Sequence, residues 1–309
     1  MLIAALAVLA WLLGRLLSDR SFAGQWLLWI PTPVMLLAVL LGLLGTLAPG
    51  RPALFKRLRL HAWLLCVLAI TVYFCFVEHH ILRPGPPPVG VSISHWNMTH
   101  GRTQAQRDDH IVQIHRILGD VTILAEAWSL GRSQALRDSL PEDYLVINRG
   151  QFTIVTRLPV IEARTLVAHE NFKAMLLMVD ATETLEHDLV IYAVDLPSDP
   201  RTPRASLARA ARALLDEAGA PPPDVVVGDC NMTRNSASLR VLFPGMRHAY
   251  GDGGHGYAAS YHRAFPLYHI DHILLADGIR CARYDLIDPA LGRHLAQRAW
   301  IVDDDAVNE

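Results

Sequence analysis

The stretch "VVVGDCNMT", residues 225–233, decides the fold. Three consecutive valines ask for burial on both faces, as in the inner strand of a layered α/β domain. A carboxylate, a thiol and an amide follow with no transition. If the chain stays extended, Asp229 and Asn231 share one face and Cys230 packs behind them. Strand ends in layered folds are where ligand sites assemble.

Outward from this stretch, short apolar runs recur at 91–96, 121–125, 144–147, 152–156, 174–179, 189–194, 224–227 and 270–275. They are strand-length and partly β-branched. Two helices stand between them. In 104–118, Ile111, Ile114, Ile117 and Leu118 share a face; 203–218 is Ala/Leu/Arg-rich, with Pro203 near its start and Gly219 just past its end. Several strands follow one another directly, which predicts a mixed, two-sheet α/β sandwich rather than a uniform parallel sheet.

Several of these runs stop at a polar residue: Asn97, Glu126, Asp195, then Asp229 with Asn231. Asp271 stands near the start of "IDHILL", and His294 heads the last apolar run. Singly, such residues are turn formers or solvated side chains. As an ordered set they have a chemistry. A hard cation such as Mg²⁺, or Mn²⁺ in its place, takes oxygen ligands and keeps waters and phosphate oxygens. Glu126 suits that role, with Asn97 helping to hold the ion. Phosphate-ester hydrolysis then needs a water oriented by Asp229, a donor from Asn231, and an imidazole, His294, held by Asp271. His95, His255, His262, His269 and His272 also lie near these motifs, but no His-x-x-x-His or Cys/His spacing announces zinc.

The chain before this domain reads differently. Of 309 residues, 51% are hydrophobic, and the excess sits at the start. Three apolar segments, 1–17, 26–48 and 62–77, predict three membrane spans over residues 1–80; a cleaved signal peptide is the other reading of 1–17. The basic loop carrying Arg51, Lys56, Arg57 and Arg59 places that loop in the cytoplasm and everything after Val77 outside. "RPGPPPVG", within a linker at 81–90, reads as a stiff spacer, and 91–309 as one catalytic domain. Residues 1–89 hold 7 of the 28 basic and 2 of the 30 acidic residues, so the remainder carries 21 against 28, a net −7. That sign disfavours nucleic acid as a partner. The four cysteines suggest no disulfide framework.

The motif order, Asn97 in "HWNM", Glu126 in "LAEAW", "YAVDLPS", "GDCNMT", "IDHILL" and a late His294, resembles the endonuclease/exonuclease/phosphatase superfamily. The resemblance implies a four-layer α/β sandwich, two mixed sheets flanked by helices, with a divalent metal and phosphate-ester hydrolysis. It makes Glu126 the metal ligand with Asn97 its neighbour. Asp229 activates water, Asn231 binds phosphate, and Asp271 pairs with His294. Two positions depart from the pattern. Asp195 stands where the family commonly has His, and a carboxylate there repels phosphate unless it is metal-bound or protonated. Arg293 stands where an acid usually precedes the histidine; it either contacts phosphate or lies on the surface. The anchor resembles membrane-bound members associated with resistance to teicoplanin-type glycopeptides. The expectation is therefore a membrane-anchored phosphohydrolase with its domain outside the cytoplasmic membrane, acting on a phosphorylated lipid or small phosphate ester. An extracytoplasmic nuclease and a non-catalytic binding module on the same fold are the alternatives.

Overall fold

The computed structural model describes residues 2–46, 53–99, 104–128 and 130–304. Arg51, the end of the 26–48 segment and residues 305–309 of the expected domain lie outside them.

Among the described residues twelve strands form two six-stranded sheets. The first has the order β11 (Ile279–Ile287), β12 (Ala296–Asp303), β1 (Val91–Asn97), β2 (Val121–Ala125), β4 (Phe152–Thr156), β3 (Leu145–Arg149). The second runs β5 (Val160–His169), β6 (Phe172–Val179), β7 (Leu189–Asp195), β8 (Val225–Asp229), β10 (Asp271–Leu275), β9 (Arg247–His248). β1–β2 and β7–β8 pair parallel and every other neighbouring pair is antiparallel, so both sheets are mixed.

The apolar runs are explained by what covers each face. Val225 and Val227 point into the core between the sheets, with Ile93, Ile123, Met175 and Ile191. Val226 points the other way, against Leu207, Ala211 and Leu239 on two covering helices. Trp96 and Leu124 meet Ile111, Ile114 and Leu136 on the outside of the first sheet. Helices, sheet, sheet, helices: the four layers follow from strands that bury both faces.

The helices are α1 (Leu2–Leu17), α2 (Phe22–Leu28), α3 (Thr32–Thr46), α4 (Ala53–Val72), α5 (Gln104–Ile117), α6 (Gln134–Ser139), α7 (Thr182–Leu185), α8 (Arg204–Glu217), α9 (Ala237–Leu242) and α10 (Ala249–Gly253). Among the described residues two stretches are long and apolar enough to cross a bilayer, Leu2–Arg20 and Lys56–Glu78, at 19 and 23 residues. The expected middle span is broken: α2 and α3 meet at 72° and count as a third span only if taken together. The break is at "WIPTP". Proline disfavours helix in the residue before it, here Ile30, while Pro33 is tolerated in the first turn of α3. The basic "loop" is also partly helical, since Lys56, Arg57 and Arg59 lie on the first turns of α4. Trp11, Met35, Val39, Trp63 and Ile70 pack the helices together.

The expected spacer is corrected too. Residues 79–90 do not hold the domain away from the helices; they lie along it. His80 pairs with Gly256, Arg283 donates to the Pro86 carbonyl at 3.1 Å, and Ala258 donates to His79 at 3.0 Å. The helices themselves dock on the sandwich. At the corner between α1 and α2, buried Asp19 accepts from Ser238 N–H at 3.1 Å and from the Ser236 hydroxyl, capping α9. Gln25 accepts from Arg204 N–H at 2.8 Å, satisfying α8, and donates to the Pro200 carbonyl at 2.7 Å. Proline at the first cap position of α8 has no side chain to do this. Arg234 donates to the Val77 and Glu78 carbonyls at the end of the last apolar stretch.

Candidate active site

Asp195, Asp229 and Asp271 stand in one row across three neighbouring strands, since Asp229 is the register partner of both others. The row lies at the end of β7 and β8 and the start of β10. The parallel pairing of β7 with β8 needs Gly228: its φ is +153°, and a Cβ there would lie 1.9 Å from the Val194 carbonyl oxygen. No other residue fits between the valine run and Asp229.

The first sheet supplies the opposite wall. Asn97, ending β1, donates to Asp229 Oδ2 at 3.1 Å. Its own Oδ1 accepts from Thr99 N–H at 3.2 Å. The amide therefore contacts the carboxylate of the second sheet. Glu126 directly follows β2 with φ +52°, a left-handed conformation that is uncommon for a side-chain-bearing residue. Among the described residues, no hydrogen bond engages its carboxylate. Its charge nevertheless raises the pKa of both Asp195 and His294, which places it in the same cleft.

Asp229 and Asn231 do come together, but not by the pleat. The strand stops at Asp229, and Asn231 turns back with φ +49° so that its N–H donates to Asp229 Oδ1 at 2.9 Å. Cys230 packs in the core behind, as the alternation suggested. The Asn231 side chain is buried and donates to the Leu196 carbonyl at 2.8 Å, leaving one amide N–H for a ligand.

His294 and Asp271 form a tight pair, with Nδ1 2.9 Å from Asp271 Oδ2, while Nε2 stands 3.9 Å from Asp229. Asp271 also accepts from the Ser260 hydroxyl at 2.7 Å. Burial by itself would lower the His294 pKa; the charge and hydrogen bond of Asp271, with Asp229 behind, outweigh it and push the imidazole up to about 9. Burial likewise opposes the Asp271 anion, but His294 and His95 hold its carboxyl well below the usual range. Asp229 is displaced the other way, upward, by burial and the Asp271 charge. Asp195 is pushed up to about 6 by burial, against the stabilising Gln151 Nε2–H, which donates to it at 2.6 Å. The departure at Asp195 thus has a physical setting: burial disfavours the anion, and the Gln151 amide holds the carboxyl in place.

Arg293 is exposed beside Thr99, with its side chain unengaged among the described residues. Three supporting residues went unassigned in the sequence. His95, two before Asn97 and on the same face of β1, has Nε2 3.8 Å from Asp271 Oδ1; its period-two spacing is a legible signal. Tyr261 packs its ring on His294 at 4.8 Å. Ser260 and Tyr261 come from a long loop, where no periodicity points to them.

The motif order, the two mixed sheets and the row of acids can be compared with known proteins. The sequence profile described as "Endonuclease/Exonuclease/phosphatase family" matches residues 94–300. The chain belongs to the endonuclease/exonuclease/phosphatase family. Solved structures agree at the level of fold. A mannosyl-6-phosphatase of Bacteroides thetaiotaomicron is 14% identical, with TM-score 0.54, over 69% of this chain and all of that one (100%). A family protein of Bacteroides vulgatus is 19% identical, with TM-score 0.52, over 69% and 99%. D. rerio TDP2 humanised by 14 mutations is 18% identical, with TM-score 0.53, over 68% and 98%. Comparison with curated protein sequences found no match.

Members of this family are divalent-metal-dependent hydrolases of phosphate esters. The residues present fit such an ion. Asp195, Asp229 and Asp271 stand side by side with His294 paired among them, and burial, with the neighbouring Glu126 and Asp271 charges behind it, displaces Asp195 and Asp229 upward. Asp229, Asp271 and His294 offer ligand atoms within 4.8 Å of one another. Asp271 and His294 satisfy each other, however; Glu126, whose carboxylate is unengaged among the described residues, and Asp229 are the carboxylates left as candidate oxygen ligands, while Asn97 Oδ1 already accepts from Thr99 N–H. An all-oxygen set suits Mg²⁺ or Mn²⁺.

Proposed function

We propose that this protein is a membrane-anchored phosphohydrolase, with its catalytic domain on the outer side of the cytoplasmic membrane and a lipid-linked phosphate as substrate. The observation that carries this reading is the docking of the apolar helices beside the catalytic cleft. The loops that follow Asp195 and Asp229 touch the α1–α2 corner, through Pro200 with Gln25 and Ser236 with Asp19. The loop that leads into Asp271 meets α2's end, where Trp29 and Tyr268 have ring centroids 5.3 Å apart. Phe22 and Trp26 on α2 stay exposed, as do Trp128 near Glu126 and Phe265 near Tyr261. Aromatic side chains of this kind belong at a membrane–water boundary. A phosphate on a lipid would reach the cleft without leaving that boundary.

The orientation rests on the basic cluster. Lys56, Arg57 and Arg59 begin α4, and the far end of that stretch, Val77 and Glu78, contacts the domain. Basic residues favour the cytoplasmic side, so the domain takes the other.

In the cleft, Glu126 with Asn97 and Asp229 would hold a divalent cation, which supplies charge neutralisation on the phosphate. Asp229 accepts the proton of the attacking water, whose oxygen bonds to phosphorus as the P–O bond to the lipid-side leaving oxygen breaks and that oxygen departs with the lipid. The free N–H of Asn231 and the protonated Nε2 of His294 donate to phosphoryl oxygens as charge develops there. Asp271, fixed by Ser260, keeps His294 charged and aimed. Arg293 contacts the phosphate from the rim. The net charge of −7 outside the anchor disfavours DNA. The resemblance to teicoplanin-resistance members makes a polyprenyl pyrophosphate of the cell-wall cycle the first lipid to test. The experiment is phosphate release by the full-length protein from undecaprenyl pyrophosphate, other lipid phosphates and plasmid DNA, with Asp229→Ala alongside. Lipid cleavage lost in the variant is expected. Cleavage of DNA with every lipid untouched would make the protein a nuclease.

A further inference from the structure

Outside the catalytic cleft, the structure brings His248, His269 and His272 together. Their ligand nitrogens lie within 4.8 Å of one another. His248 ends β9, and its register partner is Leu274 on β10; His269 and His272 flank the start of that same strand. The rings of His269 and His272 stack nearly parallel, 9° apart, and His248 meets His272 edge-on at 4.6 Å. Among the described residues four nitrogens have no hydrogen-bond partner: both of His248, and Nδ1 of His269 and of His272. His272 is fully buried and His269 is 8% exposed. Buried polar atoms normally find partners, so four orphans in one cluster need an explanation.

The surroundings fix how these rings present themselves. His272 Nε2–H donates to the Met232 carbonyl at 2.8 Å, which leaves Nδ1 as a lone pair. This is the carbonyl-backed arrangement of a metal-bound histidine. His269 Nε2 stands 3.5 Å from the Tyr284 hydroxyl, again with Nδ1 free. Burial, then the neighbouring rings, lower the pKa of His248 and His269, and burial brings His272 down to about 4. Neutral imidazoles are what a transition metal binds and what protons do not occupy. The nearby cation, Arg234, is engaged by the Val77 and Glu78 carbonyls and lies 4.6 Å over the Tyr250 ring. Its charge is opposed by that of Asp271, which raises the pKa of His269 and His272. His248 lines a surface cleft with His80 and Arg234, which gives an ion a way in.

We propose that His248, His269 and His272 form a second metal site, for a nitrogen-preferring ion such as Zn²⁺, separate from the oxygen-rich catalytic cleft. Asp271, which orients His294, lies between two of the three ligands in sequence. The ion pins β9 to β10 and so holds that carboxylate in place. The site is a support for the catalytic pair, and no step of hydrolysis passes through it.

The test uses the full-length chain in detergent, stripped of metal and equilibrated with Co²⁺ under excess Mg²⁺, which favours the oxygen ligands. About one Co²⁺ per chain should be retained, with the strong visible absorption of a four-coordinate, nitrogen-ligated ion. His248→Ala and His269→Gln should each lose it. Asp229→Asn and Glu126→Gln should keep it, which separates this site from the catalytic one and from the function proposed above. Thermal stabilisation of the wild type by Zn²⁺ under the same Mg²⁺ gives a reading that needs no variant to fold. Absence of both absorption and stabilisation in the wild type would overturn the proposal. So would bands that survive in His248→Ala or vanish in Asp229→Asn; the cluster would then be a hydrated polar pocket.

Discussion

Replacing Asp19 with Ala should loosen the whole sandwich-facing end of the apolar helices. The carboxylate is 2% exposed and accepts from Ser238 N–H at 3.1 Å, from the Ser18 hydroxyl at 3.2 Å and from the Ser236 hydroxyl. Loss of an N-terminal cap costs about 0.5–2 kcal/mol. Leaving the buried donors without an acceptor costs about 1–3 kcal/mol. Allowing for overlap, the docked state should weaken by about 2–4 kcal/mol, or roughly 30- to 1,000-fold in the undocking equilibrium, at about 1.4 kcal/mol per decade. The assay is amide hydrogen exchange by mass spectrometry on the full chain in detergent, read on peptides covering 236–242. Those amides should exchange faster by about that factor if they open through undocking, while β1 and β8 stay protected. Asp19→Asn, which keeps one acceptor, should fall between. If exchange over 236–242 changes by less than about threefold, the contact contributes little and the apolar helices are not firmly docked.

The other expectations are shorter. Glu126→Gln should reduce turnover by about 100- to 1,000-fold at saturating Mg²⁺ with an unchanged far-ultraviolet circular dichroism spectrum; near-normal turnover would remove Glu126 from the site. Asp195 has its pKa raised to about 6, so the stability tied to its protonated form is full below the unfolded carboxyl value of about 3.9 and is lost as pH rises through 6. Asp195→Asn should therefore raise the thermal midpoint of metal-free protein at pH 8 and make no difference near pH 4; a constant gap across that range would rule out the burial account. Alkaline phosphatase fused after Glu309 should be active and a cytoplasm-only fluorescent reporter dark, and the opposite pair would invert the topology.

How much was legible depended on how each element is buried. The strands with two covered faces, β7 and β8 above all, stand out as unbroken apolar runs. The amphipathic helices α5 and α8 are found within a residue of their ends. Edge strands are different. β5 carries Glu162 and Arg164, and β11 carries Arg280, Arg283 and Asp285 with a bulge after Cys281, so neither has a clean period. Among the site residues, those closing a strand were readable because polarity changes abruptly there. The turn that brings Asn231 back on Asp229 was not, since it needs a left-handed residue that is not glycine. The docking of Asp19 and Gln25 was invisible for another reason: a lone acid and a lone amide at the rim of apolar segments look like solvated boundary residues. The His248 cluster joins residues that share no motif spacing.

The long reach of the docking contacts bears on how the chain is assembled. Gln25 meets Arg204 across 179 residues, and Asp19 meets Ser236 and Ser238 across 217 and 219. The first sheet closes only when the last strand is made, since Val91 pairs with Ile301. Local contacts form early, whereas such separations must wait for the chain between them. During synthesis the apolar helices therefore emerge long before α8 and α9 exist, and Asp19 and Gln25 remain hydrated until then. The helices are translated well before the segments that carry their polar partners.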